Sequence, residues 1–173
     1  MLPPPTLWWR NLGRYEKNWL IIAFIWCILL TAMMPLWFSL GRQNVPATSY
    51  RVTPKQYLQT VNNFVQQYKI GEEKGIPVVE PPAGDVYLLG RQWQWYPILK
   101  LKKGVQYRLH LSSTDVVHGL SIQPVNLNLT VSPGYDYVVT LTPTTSGDFS
   151  LVCNEYCLVG HHVMVGKMIV DEK

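Results

Sequence analysis

Gly147-Asp-Phe-Ser-Leu-Val-Cys153-Asn-Glu-Tyr-Cys157-Leu-Val-Gly-His161-His-Val-Met164-Val-Gly-Lys167-Met-Ile-Val-Asp171 is the stretch that decides how this chain folds. Its two flanks, 147–153 and 167–171, read as short strands. Between them runs one loop carrying two thiols, imidazole and a thioether. The first strand delivers Cys153 to its end, and the last closes the sheet beyond Met164. Rigid strands on both sides would hold the loop in one shape.

Upstream the texture stays β. The segments 85–90, 93–96, 98–102, 105–112, 126–131 and 137–142 read as further strands. Turn signals separate them at Lys103-Gly104, Ser132-Pro-Gly134 and Thr144-Thr-Ser-Gly147. About eight short strands in about ninety residues predict an all-β sandwich with Greek-key connections over 84–173. Ahead of it, Ile76-Pro-Val-Val-Glu-Pro-Pro-Ala-Gly84 reads as a stiff Pro-rich linker and a domain boundary. The connector 41–83 holds one further element. Thr53-Pro54-Lys-Gln56 is a capping box, and Tyr57, Val61, Phe64, Val65 and Tyr68 follow at helical spacing. An amphipathic helix is expected over 53–70, its apolar side turned to a membrane surface or a partner subunit.

Residues 19–40 contain no charged side chain. As a helix they would span about 33 Å, enough to cross a bilayer core of roughly 30 Å. Trp19 at one end and Trp37 and Phe38 at the other suit the two interfaces. Pro35 should kink or end the helix near its last turn. A cleavable signal peptide is the competing reading, but its apolar core runs to only about 7–15 residues, and no small-x-small site follows. The segment therefore reads as a permanent single-pass anchor in lipid, behind an N-terminal segment 1–18. Arg10, Arg14 and Lys17 precede it, and Arg42, Arg51 and Lys55 follow. That near-tie leaves orientation to be set by function.

Fifteen Lys and Arg against eleven Asp and Glu give a formal charge of +4. The basic residues are scattered, without a basic run or interleaved aromatics, which excludes a nucleic-acid footprint. Of three cysteines, Cys27 lies in the apolar run, where it serves as a small hydrophobe. Cys153 and Cys157 could form a disulfide in an oxidising compartment, but their neighbours are metal-ligand types. With His118 arriving from an earlier loop, the donors are Cys153, Cys157, His161, Met164 and His118. Structural zinc would use two Cys and two His and leave the Met without a role. A mononuclear blue copper site would use Cys, His and Met and leave one cysteine over. A dinuclear copper centre, with both thiolates bridging and one His on each metal, uses every donor. That reading is preferred, with the other two as its competitors.

The pieces Asp115-Val-Val-His118-Gly, Ser132-Pro-Gly134 and Cys153-Asn-Glu-Tyr-Cys157-Leu-Val-Gly-His161-His-Val-Met164 together resemble the copper domain of subunit II of the heme-copper cytochrome c oxidases. Tyr15-Glu-Lys-Asn-Trp19 leading into a single helix resembles the compact B-type members. The resemblance implies a cupredoxin-like Greek-key sandwich behind one transmembrane α-helix. It implies a CuA centre of two copper ions held by the side chains of His118, Cys153, Cys157, His161 and Met164 and the backbone carbonyl of Glu155. The Glu155 side chain is not counted as a ligand. His162 is expected at the surface, Met168 in the core, and His110 in mid-strand away from the metal. Leu158 departs from the glycine common at its position. Arg91-Gln-Trp93-Gln-Trp95-Tyr96 resembles the aromatic patch through which electrons enter, with Trp93 the first choice and Trp95 the second. The implied partners are a c-type cytochrome donor and a catalytic heme-copper subunit I, which holds the heme and reduces oxygen. The implied location is the plasma membrane or the mitochondrial inner membrane, with the copper domain on the periplasmic or outer face. A nitric oxide reductase with the same copper subunit is the alternative.

Overall fold

The computed structural model describes residues 11–41, 46–123 and 125–172. Arg10 and Arg42, two of the charges flanking the apolar run, lie outside them. The chain divides into two compact units, one up to Arg42 and one from Gln43 onward.

The first unit is helix α1 (Arg14–Leu40). It begins before the apolar run because the Glu16 carboxylate reaches back to accept the Gly13 N–H at 2.8 Å. Its twenty-seven residues span about 40 Å, and none is buried. It is long and apolar enough to cross a membrane. Of the two effects expected of Pro35, a kink or an end, the second does not occur. Proline removes one N–H from the ladder, yet the helix continues to Leu40 and closes with Gly41 N–H on the Trp37 carbonyl at 2.8 Å.

The second unit contains β1 (Thr48–Arg51), α2 (Pro54–Tyr68), β2 (Lys69–Glu73), β3 (Ile76–Val79), β4 (Gly84–Arg91), β5 (Gln94–Tyr96) and β6 (Ile98–Lys102). It continues through β7 (Tyr107–Ser113), β8 (His118–Ile122), β9 (Leu127–Val131), β10 (Tyr135–Leu141), β11 (Gly147–Cys153) and β12 (Val165–Asp171). One sheet runs β1-β10-β7-β4-β5 and the other β2-β3-β6-β12-β11-β8-β9. Val86, Leu88, Leu109 and Leu111 of the first share a buried core with Leu99, Leu101, Leu120, Ile122, Met168 and Val170 of the second. This is a cupredoxin-like β-sandwich.

All eight strands read from the sequence are present, and four more join them. The stretch 76–84 is not a linker. Val78 and Val79 pair in parallel with Ile98 and Leu99, so β3 is an interior strand of the larger sheet. Its partner β2 is reached through Lys74 and Gly75, both at positive φ. A lysine there hides the turn from a search for Asn-Gly or Asp-Gly. Helix α2 has the expected capping box, with the Gln56 N–H donating to Thr53 Oγ1. Its apolar side does not await a partner. Tyr57, Val61, Phe64 and Val65 are buried in the sandwich core, and the Tyr57 hydroxyl donates to the Leu88 carbonyl. The boundary read at Gly84 thus falls inside a compact unit.

Candidate metal centre

Strand β11 ends at Cys153 and β12 begins at Val165, so residues 154–164 form one loop, with a 3-10 turn at His161–Val163. The Cys153 N–H donates to the Met164 carbonyl at 3.1 Å and closes the base of the loop. The Asn154 N–H donates to the Gly119 carbonyl at 3.0 Å. Only glycine fits at 119, because a Cβ there would lie 2.1 Å from Asn154 Oδ1. His118 does not come from a loop as expected. It opens β8, which pairs with β11 so that Leu120 faces Cys153. A histidine followed by a glycine carries little strand propensity, and the ladder to β9 and β11 overrides it.

Six donor atoms meet here. The two thiol sulfurs are 3.7 Å apart and unbridged. His118 Nδ1 is 3.9 Å from Cys153 Sγ, and His161 Nδ1 is 3.6 Å from Cys157 Sγ. The Glu155 carbonyl lies 3.3 Å from Cys153 Sγ, and Met164 Sδ lies 3.7 Å from Cys157 Sγ. Each sulfur therefore has its own imidazole and its own weak donor. His118, Cys153, Cys157 and Met164 are buried, and His161 is half-buried. His162 is exposed and Met168 is in the core.

The surroundings prepare these atoms. Burial, reinforced by the neighbouring Cys153 thiol, pushes the Cys157 thiol up to about 11. His118 Nε2 is 2.8 Å from Asp115 Oδ1, which leaves Nδ1 for the sulfurs. Burial pushes the Asp115 carboxyl up, but hydrogen bonds from His118 and from the Gln92 and Val116 N–H groups outweigh it and hold it below its ordinary value. The sequence reading missed the orienting role of Asp115, although its three-residue spacing from His118 was in view. Leu158 adopts φ +77°, the left-handed region where glycine is at ease.

The two tryptophans differ. Trp93 is 39% exposed and its indole N–H donates to the Cys157 carbonyl at 2.9 Å. Trp95 is 1% exposed and meets His118 edge-on, ring centres 6.0 Å apart. Gly90 and Gly166 leave the room that Trp95 fills.

No family model matches this chain. It is 28% identical over 162 residues to a cytochrome c oxidase subunit 2 of Thermus thermophilus, covering 91% of this chain and 92% of that protein. A second Thermus thermophilus cytochrome c oxidase subunit 2 is 32% identical over 93 residues, 53% of this chain and 69% of the relative. The chain belongs to the cytochrome c oxidase subunit 2 family. It is thus a subunit of an oxidoreductase complex. Among solved structures, a chain of a heme-copper terminal oxidase dimer aligns with TM-score 0.57 and 25% identity, over 91% of this chain and all of that one. A rusticyanin variant aligns at TM-score 0.50 and 18% identity, over 76% of this chain and all of that one, a likeness of fold alone.

Proposed function

We propose that this subunit accepts electrons for a membrane-bound terminal oxidase, and that the Cys153–Cys157 loop holds two copper ions as a CuA centre. The observation that carries the reading is the pairing of donors: His118 and Glu155 O beside Cys153, His161 and Met164 beside Cys157. Soft sulfur with imidazole suits copper, and two matched sets of donors suit two ions sharing a pair of thiolates. When bound, such a pair takes up and releases one electron delocalised over both metals. The side chains of Cys153, Cys157, His118, His161 and Met164 and the Glu155 carbonyl would hold the ions, the imidazoles through Nδ1 and the thioether and carbonyl as weak donors. The buried loop base and the Asp115 contact keep water out and the His118 ring in place.

Trp93 is the point where electrons enter, because it alone of the two tryptophans reaches the surface, and it is bonded to the ligand loop. The donor is a c-type cytochrome. Around Trp93 the loop exposes Tyr156 at 74% and Val159 at 81%, with Leu158 and Val163 also outward. Docking on that apolar surface needs few charges, in keeping with the chain's modest net charge. The heme that next receives the electron belongs to the catalytic subunit, where oxygen is reduced. Helix α1 is the single-pass anchor, and the copper domain faces the periplasmic or outer side of the plasma membrane or mitochondrial inner membrane.

Purification of the native complex through a tag on this chain tests the assignment. A heme-bearing subunit should co-purify, and the complex should consume oxygen with reduced cytochrome c, only weakly affected by salt. Reduction of nitric oxide in place of oxygen would overturn it.

A further inference from the structure

A second buried polar cluster lies in the five-stranded sheet, outside the metal centre. At its middle is His110 of β7, buried. Its Nδ1 is 2.8 Å from Asp136 Oδ2 on β10, and its Nε2 is 3.3 Å from Asp85 Oδ1 on β4. The Tyr87 ring of β4 stacks on the imidazole at 4.6 Å. The Tyr50 hydroxyl of β1 is 3.1 Å from Nδ1. Arg108 forks onto Asp85 at 2.5 and 2.7 Å, and Tyr57 of α2 meets Tyr87 edge-on. The cluster thus ties together four adjacent strands, β1, β10, β7 and β4.

A neutral imidazole has one N–H and one lone pair. Here both ring nitrogens face carboxylates, so a neutral ring would turn its lone pair on one of them. An imidazolium donates to both. Asp136 needs that cation most. It is buried, and its Oδ1 has no hydrogen-bond partner among the described residues. Arg108 is engaged with Asp85. Without the proton, one of the two carboxylates loses its donor: either the lone pair faces the buried Asp136, an arrangement strongly disfavoured at low dielectric, or Nδ1–H stays on Asp136 and the contact to Asp85 is lost. Strand β1 would feel this first. It is an edge strand with four exposed residues and one sheet neighbour, β10, and Tyr50 is its link to the cluster.

We propose that His110 is a pH-sensitive clamp: as an imidazolium held between Asp136 and Asp85 it fastens the edge strand β1 to the sandwich, and loss of that proton loosens β1. Burial alone would push His110 down, but its bonds to Asp136 and Asp85 outweigh this and raise it above its ordinary value. Arg108 first, then His110 against the opposing effect of burial, hold Asp85 below the ordinary carboxylate range. Burial, then Asp136, pushes the Tyr50 phenol up, so it stays neutral. Burial raises Tyr87 and Tyr57 likewise. A raised histidine stabilises fully below about 6.5, its unfolded value. The stabilisation is lost as pH rises through the higher folded value. In acid, Asp85 sets the other limit, where its lowered carboxyl takes up a proton.

The test uses the full chain in detergent micelles. Nitrogen-detected NMR of the histidine rings, with His110→Gln to assign the signal, should show both His110 nitrogens protonated on the acid side of a midpoint that lies above 6.5, the ordinary histidine value. Native-state hydrogen exchange should then show β1–β10 amides losing about tenfold in protection beyond intrinsic exchange as pH passes that midpoint, while β11–β12 amides keep theirs. Asp85→Asn, at a partly exposed position, should lower the midpoint without unfolding the chain. A midpoint at or below 6.5, or β1 protection that follows intrinsic exchange throughout, overturns the clamp.

Discussion

His118 Nε2 lies 2.8 Å from Asp115 Oδ1. A carboxylate only accepts, so this nitrogen carries a proton, and Nδ1 is the ring nitrogen left facing the sulfurs. The other Asp115 oxygen accepts the Gln92 N–H at 2.6 Å, beside Trp93. One carboxylate therefore joins His118, a proposed copper ligand, to the turn bearing the indole. Asp115→Ala should weaken copper binding by about 10–100-fold. Asp115→Asn, which keeps an acceptor oxygen, should lose less. Competition against a chelator of known affinity measures both, and equal affinity in Asp115→Ala would remove the orienting role.

Gly160 matters for its lack of a side chain. A Cβ there would lie 2.2 Å from Cδ2 of Trp93. Gly160→Ala should push the indole off the loop, break its bond to the Cys157 carbonyl, and destabilise the chain by about 1–3 kcal/mol. Copper content should hold while electron transfer from cytochrome c slows. Thermal melting and stopped-flow reduction read the two effects. Unchanged reduction kinetics would show that Trp93 is not where electrons enter.

Metal uptake should release protons. Burial and then the adjacent Cys153 thiol set Cys157 at about 11, so near neutrality it is a thiol and must ionise to bind copper. Between pH 6 and 8, apparent copper affinity should climb about tenfold per pH unit for each thiol proton displaced. Titrations at several pH values check this. A flat profile would mean the thiols are already ionised.

Helix α2 and strands β2 and β3 are part of the sandwich. A chain starting at Pro82 would lose the buried side chains of Val61, Phe64 and Val65. At about 1.5–3 kcal/mol each, they account for about 5–9 kcal/mol. Typical domain stability is only about 5–15 kcal/mol. The shortened chain should fail to fold cooperatively, whereas one starting at Pro46 should melt as a unit. Circular dichroism melts decide, and a cooperative melt from Pro82 would contradict the shared core.

The sequence was most legible where chemistry and period coincide. Cys153, Cys157, His161 and Met164 share one loop, and the strands that hold it alternate visibly. His118 could be named from its residue type, but its place at the start of β8 depends on pairing with β11, which no local pattern records. Strand β3 was hidden by prolines. Pro77 precedes the two valines that pair with β6, and the run after Val79 reads as linker. The His110 cluster was invisible because its members, Tyr50, Asp85, Tyr87, His110 and Asp136, come from four strands. Only sheet register sets Tyr50 opposite Asp136 and Tyr87 opposite His110.

Everything proposed for the loop turns on its holding two coppers as one centre. Metal analysis with electron paramagnetic resonance on the copper-loaded, oxidised full chain decides that point. Two coppers per chain should share one unpaired electron, with hyperfine structure from both nuclei, and Cys157→Ser should lose that signal. A single copper, bound zinc, or a mixed-valence signal that survives Cys157→Ser would contradict the dinuclear centre.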